Sequence, residues 1–483
     1  MQKNNPFHFE YSYVSLPDTF YSFVKPELFP KPELVLLNKT LCNQLDVVVE
    51  NEEDLLNALL IKQTENETTS FAQAYAGHQF GHFTKLGDGR AIIIGEHTTK
   101  RNQRFDIQLK GSGRTPYSRG GDGKATLRAM LREYLISEAM HYLNIPSSRS
   151  LSVIKTGQPV YRETLQEGAA GVRVMESHIR VGTFEYAARF GKPEDVKTLV
   201  NYTIKRLYPE LLDDENLAVS LLRKVMQNQI DLVADWMRVG FIHGVMNTDN
   251  TSISGETFDY GPCAFMNSYH PDTVYSSIDH QSRYAFGNQP KIIKWNLCRF
   301  AEALLPIIHE NKEKSLALAQ ITIDEFDAIW EKKYYGTMLN KIGFATNNSL
   351  YYELVDELLE VMKKGKIDYT NTFNDLSKVL ISEENTNKNT EFSDWIKNWK
   401  HIIRQSIGAE KAIKIMGAVN PITIPRNHLL ENALDEAVNG NMKVFERLLD
   451  VITKPYELQD GIDDFLKPSA SNFEKYYQTF CGT

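Results

Sequence analysis

The segment from residue 241 to residue 265, FIHGVMNTDNTSISGETFDYGPCAF, restricts the fold more than any other part of the chain. A His-Gly pair at 243–244 precedes Asn250, and an Asp-Tyr-Gly run follows at 259–261. Amide and carboxylate oxygens are the hard ligands that Mg²⁺ accepts beside nucleotides. A turn rich in Asn and Asp would explain the residues around Asn250 by itself, but it would not explain the flanking pairs. The pattern therefore predicts a divalent metal site formed by Asn250 and Asp259.

The spacing is similar to that of protein kinases, which place H-R-D-x-x-x-x-N before D-F-G. Val245 stands where a kinase carries its catalytic Asp, whereas the metal-binding Asn and Asp are kept. Asp249 has no metal role in the kinase arrangement, so its carboxylate is free to accept a proton. We predict that the catalytic base of this chain has moved from position 245 to Asp249.

Composition limits the class of protein and its partners. The chain has 483 residues, 42% hydrophobic and 24% charged, which is typical of a soluble globular protein. Its net charge of −8 gives no overall attraction to nucleic acid or to an anionic membrane. It contains no apolar run long enough to span a membrane. We expect no nucleic-acid partner, no membrane partner and a monomer.

Cysteine usage and the N-terminus indicate a reducing compartment. The four cysteines form no C-x-x-C pair, so a zinc ribbon or thioredoxin motif is not indicated. They are also too few for a disulfide scaffold. The N-terminal residues MQKNNPFHFEY lack the pattern of a secretory signal or a transit peptide. These features predict a cytoplasmic location.

The order of predicted elements indicates an α+β fold with segregated strands and helices. An irregular arm at 1–70, ending in a helix at about 52–63, precedes strands within 84–110 and near 151–163 and 171–176. Between them, GDGKATLRAMLREYLISEAMHYL predicts a helix with Asp122 as its N-cap. The chain turns helical after about residue 195, including a helix that stops at Gly240. Further helices are predicted at 295–309, 322–333, 348–363, 392–404, 427–437 and 441–450, and the polar run at 382–392 predicts an exposed loop.

Lys110 lies on a predicted strand, and Glu133 lies on the helix that follows it. Glu133 falls in a stripe with Ala129, Ile136 and Met140, and a carboxylate in an apolar stripe is costly unless it is paired. Lys110 is a suitable partner, although a solvated strand lysine is the common alternative. In kinases the corresponding pair holds the lysine against nucleotide phosphates.

Two Gly-rich turns and two arginines complete the candidate residues. Gly87, Gly89 and Arg90 fit either an ordinary hairpin or a loop whose amides approach phosphate. The turn that contains Asp122 and Gly123 opens a helix, whose N-terminus attracts anions. Arg173 and Arg180 fit either surface ion pairs or a bidentate clamp on phosphate oxygens. At this point the alternatives stay open.

Long blocks of the sequence together resemble the SelO (YdiU) family of pseudokinases, which act as protein adenylyltransferases. The blocks are YAGHQFGHF, LGDGRA, QLKGSGRTPYSRGGDGKATLRAMLREYLISEAM, SHIRVGTFEY, HGVMNTDN, DYGP and NPITIPRNH. They occur in one order over nearly the whole chain, so the resemblance is specific. It implies a two-lobed, kinase-like fold with a β-rich N-lobe at 71–170, a helical C-lobe at 171–310 and a helical extension at 311–483.

The resemblance implies that ATP is bound in a flipped orientation and that AMP passes to Ser, Thr or Tyr hydroxyls of proteins. Asp249 would be the base, and Asn250 and Asp259 would bind Mg²⁺ or Mn²⁺. The residues implied to contact ATP are Gly87, Gly89, Arg90, Lys110, Asp122, Gly123, Arg173, Arg180 and Asp259.

The sequence departs from the family pattern at a few positions. Lys85 and the preceding Thr replace a Pro-Gln pair, and Lys124 replaces an Arg. Related sequences often carry a Cys where this chain has Tyr275, and some pair it with a Cys near the C-terminus as a redox lock. Cys481 matches that tail position, so its partner would have to be Cys263.

Several functions remain open from the sequence. The leading hypothesis is metal-dependent AMP transfer to protein hydroxyls, and the same site could instead transfer UMP from UTP. A kinase with an unusual base is a second possibility. A non-catalytic nucleotide-binding scaffold is a third, although a scaffold has no need of a complete metal site.

Overall fold

The computed structural model describes residues 5–60, 68–381 and 390–480. The strands are β1 (Phe9–Glu10), β2 (Tyr21–Phe23), β3 (Glu33–Leu37), β4 (Phe71–Gln73), β5 (Ala76–Gln79), β6 (His82–Lys85), β7 (Ala91–Thr98), β8 (Arg104–Lys110), β9 (Ala125–Thr126), β10 (Arg149–Tyr161), β11 (Leu165–Met175), β12 (Phe241–Ile242) and β13 (Ala264–Phe265).

The helices dominate the second half of the chain. They are α1 (Lys39–Gln44), α2 (Glu52–Leu59), α3 (Leu127–Tyr142), α4 (Val181–Phe190), α5 (Pro193–Leu207), α6 (Leu217–Val239), α7 (Gln289–Ile308), α8 (Lys312–Asp324), α9 (Phe326–Lys341), α10 (Tyr352–Gly365), α11 (Tyr369–Ile381), α12 (Thr390–Ser406), α13 (Ala409–Val419), α14 (Asn427–Val438), α15 (Met442–Ile452), α16 (Asp463–Leu466) and α17 (Ser471–Tyr476). A short 3-10 helix, Thr248–Asn250, lies between β12 and β13.

A nine-stranded sheet forms the first half of the fold. Its main path is β2-β4-β7-β8-β11-β10-β3, with β1 added to β7 and β9 added to β11. Every pairing in this sheet is antiparallel. Separate two-stranded ribbons are formed by β5 with β6 and by β12 with β13. The predicted α+β class is confirmed, and the arrangement is compatible with a kinase-like fold.

One apolar core joins the helix α3 to the helical body. It includes Leu131 and Ile136 of α3, Phe184 of α4, Trp236 of α6 and Leu434 of α14, all of which are buried. A second cluster of buried apolar side chains lies on the other face of the sheet, under α1 and α2. The sheet is therefore covered on both faces, and α3 is the element that connects it to the helices.

The helix α3 begins later than the sequence predicted. Thr126, not Asp122, is the N-cap: its side chain accepts a hydrogen bond from the backbone N–H of Ala129. Gly123 has φ +69°, and Ala125 and Thr126 pair with β11 before the helix starts. The sheet pairing takes these residues, so the N-cap prediction for Asp122 was wrong.

Other predicted elements are mostly confirmed, with differences at their ends. The helix α6 ends where predicted, at Gly240, whose φ of +74° is left-handed. The helix predicted at 322–333 is present as α9, but it begins later, at Phe326, and continues to Lys341, because α8 ends at Asp324. The sequence reading missed the helices α1, α4, α8, α11, α13, α16 and α17. The helix predicted at 52–63 ends earlier, at Leu59. Residues 382–389 of the predicted polar loop lie outside the described residues, whereas residues 390–392 belong to α12.

The division of the chain at residues 70, 170 and 310 stays a prediction. The strands β2 and β3, which precede residue 70, pair with strands that follow it. The strand β11 runs across residue 170. None of the helices in the described ranges combines the length and apolar character that crossing a membrane requires.

Candidate nucleotide and metal site

A cavity of about 540 Å³ lies between the sheet, the loop before α3 and the segment around residue 250. Every residue predicted for the site lines it, including both proposed metal ligands and the proposed base. These residues are Gly87, Gly89, Arg90, Lys110, Asp122, Gly123, Arg173, Arg180, Asp249, Asn250 and Asp259. The fold thus brings together side chains that are up to 172 positions apart in the sequence. Their chemical roles stay predictions.

Lys110 is the centre of a buried ionic network. It is the last residue of β8, and its Nζ donates to Oε2 of Glu133 at 2.7 Å, which confirms the predicted pair. The same Nζ contacts Oδ1 of Asp259 at 2.5 Å. A buried ammonium held by two carboxylates is fixed in position, as a group that orients phosphate must be.

Arg173, on β11, connects the same two carboxylates. Its Nε donates to Oε1 of Glu133 at 2.7 Å, and its terminal nitrogen lies 3.4 Å from Oδ1 of Asp259. Burial raises the pKa of Asp259, but Lys110, Arg173 and Arg90 outweigh it and hold that pKa well below its usual range. Asp259 is therefore ionised and able to act as a hard ligand.

The backbone conformation of Gly87 determines how the turn at 87–89 lines the cavity. Gly87 has φ +123°, and a Cβ on it would lie 2.4 Å from Cγ of Tyr117. The loop that carries Tyr117 is fixed over this turn, since Thr115 Oγ1 donates to the carbonyl of Asp88 at 2.6 Å. Only glycine permits this close approach. The turn therefore presents backbone rather than side chain to the cavity.

Arg180 lies at the N-terminus of α4, where it is 4% exposed. Its guanidinium is 4.1 Å from the ring centre of Tyr75 and 5.0 Å from that of Phe258. It also donates to the backbone carbonyl of Asp249 at 3.2 Å. Its Nε donates to the carbonyl of His178 at 3.2 Å, and its other terminal nitrogen lies 3.6 Å from Oδ1 of Asp88. These contacts and the two aromatic rings fix the plane of the guanidinium.

Asp249 is buried in the 3-10 helix, and its carboxylate is incompletely satisfied. Among the described residues, its Oδ2 accepts only a long 3.5 Å contact from Nε2 of Gln79, and its buried Oδ1 has no hydrogen-bond partner. Burial raises its pKa to about 6, against the opposing effect of Arg180. A carboxylate with a raised pKa and a free oxygen has the properties of a general base.

Asn250 follows Asp249 in the chain and lines the same cavity. Its Nδ2 donates to the carbonyl of Val245 at 3.0 Å, so the amide oxygen points away from that contact. Together with Asp259 it offers amide and carboxylate oxygens, which suit Mg²⁺ or Mn²⁺. Among the residues the structure describes, no three His, Cys, Asp or Glu side chains are arranged to hold a metal ion. A metal held by this pair would therefore take its other ligands from phosphate oxygens and water.

Asp122 lies at the edge of the cavity and is paired. Arg162 donates to its Oδ2 at 2.8 Å and to its Oδ1 at 3.2 Å, and this hydrogen bonding lowers the pKa of Asp122. Lys124, which replaces the family's Arg, donates instead to Gln158 at 2.8 Å. Arg162 balances the charge of Asp122, so Lys124 leaves this turn with a net positive formal charge.

Sequence reasoning missed several residues that line the same cavity, notably Tyr75, Asp88, Tyr117, Arg162 and Phe258. Tyr75 and Tyr117 lie within blocks that carried the family resemblance, so that signal was present. Arg162 gave no local signal, because only the β10–β11 hairpin brings it to Asp122.

Of the two cysteines of the predicted redox pair, Cys263 and Cys481, the structure describes only Cys263. Cys263 is a free, buried thiol, and burial raises its pKa to about 12. Cys481 lies outside the described residues. The described end of the chain does reach this region, since Thr479 Oγ1 donates to the carbonyl of Pro262 at 2.6 Å. The 263–481 pairing stays a prediction.

Comparison with known proteins gives a consistent result along the whole chain. The family model described as "Protein adenylyltransferase SelO" matches residues 4–453. The chain is 49% identical over 479 residues to the protein nucleotidyltransferase YdiU of Pelagibacter ubique (strain HTCC1062), covering 99% of both chains. It is 48% identical over 489 residues to the YdiU protein of Bacillus cereus (strain B4264), covering 100% of both. These matches, together with the site geometry, show that the chain is an enzyme of the SelO family of protein adenylyltransferases.

Proposed function

We propose that this enzyme transfers AMP from ATP to Ser, Thr or Tyr hydroxyls of other proteins. ATP lies in the cavity in a flipped orientation, with its α-phosphorus toward Asp249. The observation that carries the proposal is the position of Asp249: a buried carboxylate with an unpartnered oxygen lies in the same cavity as Asn250 and Asp259. A kinase base at position 245 is replaced by Val, so the base has to come from elsewhere.

The transfer is a single displacement at the α-phosphorus. The acceptor oxygen forms a bond to this phosphorus while the bond to the bridging oxygen of pyrophosphate breaks. The hydroxyl proton passes to the carboxylate of Asp249, and pyrophosphate departs. Lys110, Arg173 and Arg180 neutralise the departing pyrophosphate, which lowers the barrier because the charge develops on that group.

A divalent cation is part of this proposal. Asn250 and Asp259 would hold Mg²⁺ or Mn²⁺, whose charge would be shared with the triphosphate oxygens. The amide and carboxylate oxygens of this pair fit either ion, so we leave the choice between them open.

Labelled nucleotides test the reaction directly. The enzyme is incubated with protein acceptors and either α-³²P-ATP or γ-³²P-ATP, with an Asp249→Asn variant as control. We expect label on protein from the α position only, at a rate about 100-fold or more lower with the variant. Label from the γ position alone would show a kinase. No label from either, with ATP binding unaffected by Asp259→Ala, would show a scaffold.

UMP transfer from UTP by the same site is the alternative reaction. The cavity walls near the phosphates do not distinguish the two bases. Competition between α-³²P-ATP and α-³²P-UTP on one acceptor separates them, because the preferred nucleotide gives the higher labelling at equal concentration.

The proposed partners and location follow from the family and the composition. Protein acceptors are expected, with a monomeric enzyme that binds neither nucleic acid nor membrane. A cytoplasmic location fits the finding that Cys42, Cys263 and Cys298 form no disulfide with any other described residue. Free thiols are typical of reducing compartments.

A further inference from the structure

A second cavity, of about 520 Å³, lies on the outer side of the β5–β6 ribbon. Its apolar wall is formed by Phe80, Ile278 and Ile292, and its charged groups come from the 278–291 segment. Ile278 is 43% exposed, which is high for an isoleucine beside a concave surface. We call this cavity the hairpin groove.

The hairpin groove is joined to the proposed base by direct contacts. The backbone N–H of Phe80 donates to Oδ1 of Asn247 at 3.1 Å, and Tyr284 OH donates to the same oxygen. The preceding residue, Gln79, contacts Asp249 at 3.5 Å. The groove therefore begins a few residues' length from the carboxylate that would receive the acceptor's proton.

The formal charge of the groove is positive, because Arg283 and Lys291 line it against the single carboxylate of Asp279 among its lining residues. Asp279 accepts hydrogen bonds from the backbone N–H groups of Arg283 at 2.9 Å and Tyr284 at 2.7 Å. Lys291 is exposed at the rim. Within the described ranges, no carboxylate lies within salt-bridge distance of Arg283 or Lys291.

Arg283 has the features of an anion-binding side chain. Its guanidinium is 4.9 Å from the ring centre of Trp295, which fixes its plane. Its Nε is buried and has no hydrogen-bond partner in the described structure. A buried donor without a partner is costly. Arg283 as a whole is half-buried, so the exposed part of its guanidinium is open to an incoming carboxylate.

The first turn of α7 adds to this charge. Asn288, its N-cap, lines the groove, and its side chain does not cap the helix. The N–H of Gln289 donates to the carbonyl of Phe286 and Pro290 has no N–H, so this helix end contributes mainly its dipole, which favours an anion nearby. Arg283, Lys291 and this helix end therefore act on the same space.

We propose that the hairpin groove holds the acceptor protein, and that it selects an Asp or Glu side chain close to the modified hydroxyl. This inference rests on the proposed function, because it names the acceptor for that reaction. Arg283 and Lys291 bind the carboxylate, while Phe80 and Ile278 contact an adjoining apolar side chain. An extended chain advances about 3.3 Å per residue, so the acidic residue lies within a few positions of the hydroxyl.

Paired peptides test the groove in the full-length enzyme. One fluorescein-labelled peptide carries a central Ser flanked by Glu, and its counterpart carries Gln at the same positions. We expect the Glu peptide to bind about tenfold more tightly, as fits one or two charge-assisted hydrogen bonds. We expect R283Q/K291Q to abolish this preference and K291Q, at an exposed site, to reduce it. ATP binding should be unchanged in both variants.

The control variant K411Q/K414Q removes the same charge from α13, away from the groove, and should keep the preference. Equal binding of the two peptides, no binding of either, or an unchanged preference in R283Q/K291Q would overturn the proposal.

Labelling of both peptides with α-³²P-ATP separates the proposal for the groove from the proposed AMP transfer. Transfer without a preference for Glu contradicts the groove alone, whereas a Glu preference without transfer contradicts the proposed reaction alone.

Discussion

At the scale of single residues, Asp249 combines burial with an unsatisfied oxygen. The chain gains no stability from this arrangement, because a buried carboxylate without full hydrogen bonding is unfavourable. Such strain is common where a residue serves a reaction. The local sequence NTDN by itself predicts only a turn. The comparison with the kinase spacing was needed to single out Asp249.

We expect Asp249→Asn to lower the rate of transfer about 100-fold or more, since general bases contribute on this scale. ATP binding should remain within a few-fold of the native value. Initial rates of label transfer and equilibrium ATP binding measure the two effects. A variant that transfers at the native rate would exclude Asp249 as the base.

The pH dependence follows from the raised pKa of about 6 at Asp249. The base acts only when ionised, so the rate should fall as the pH drops below about 6 and level off above it. The folded pKa exceeds the usual value, so ionisation costs stability as the pH rises past it. At pH 8 the free energy of unfolding of the Asp249→Asn variant should therefore be at least that of the native enzyme, and up to about 3 kcal/mol higher. A marked loss of stability would instead indicate a structural role.

We expect Lys110→Met to destabilise the fold by about 3 kcal/mol, because it leaves Glu133 and Asp259 with one cation fewer in a buried network. It should also abolish ATP binding. Glu133→Gln is the milder control, since Lys110 keeps Asp259 as a partner. Chemical denaturation measures the stability of both variants. Equal stability of Lys110→Met and the native enzyme would contradict the account of this network.

At the scale of elements, regular structure was the part that the sequence predicted well. The Lys110–Glu133 pair was predictable because a strand and the next helix have periodic geometry. The start of α3 was not, because the pairing of β9 with β11 depends on residues more than 40 positions away. The position of Arg162 could not be predicted for the same reason. The hairpin groove could not be predicted either, because it is built from β5–β6 and the segment before α7.

The β5–β6 ribbon positions Asp249 through close contact. A Cβ on Gly77 would lie 2.7 Å from Oδ1 of Asp249 and 3.1 Å from its backbone nitrogen. We expect Gly77→Ala to lower the transfer rate about 10- to 100-fold by displacing the base.

Gly417→Ala on α13 is the matched control, since a Cβ there meets nothing within 4 Å. It should leave the rate unchanged and raise stability slightly, as alanine favours a helix. The measurement is the steady-state rate of transfer by Gly77→Ala and by Gly417→Ala. Equal rates for both would show that β5 does not position Asp249.

At the scale of the whole molecule, the C-terminal helices are packed against the site. Glu431 of α14 forms an ion pair with Arg132 of α3 at 2.8 Å, one position before Glu133. The same apolar core extends from Tyr13 to Ile452. The helical C-terminal part is therefore continuous with the part that forms the nucleotide cavity.

We expect Arg426→Ala to destabilise the entire chain by about 3–5 kcal/mol. Arg426 is 3% exposed, and its removal leaves the carboxylate of Asp368 without its cation. Because the core is shared, far-ultraviolet circular dichroism and tryptophan fluorescence should report one common transition at a lower temperature. Two separate transitions, with only one shifted, would show that the C-terminal helices unfold independently.

The central claim is the orientation of ATP between Lys110, Asp259 and Asp249. A crystal structure of the enzyme with a non-hydrolysable ATP analogue and Mg²⁺ tests it most directly. We predict that the α-phosphorus lies nearest the carboxylate of Asp249, with the terminal phosphates against Lys110, Arg173 and Arg180. A γ-phosphate placed beside Asp249, with the α-phosphate turned away, would contradict the account.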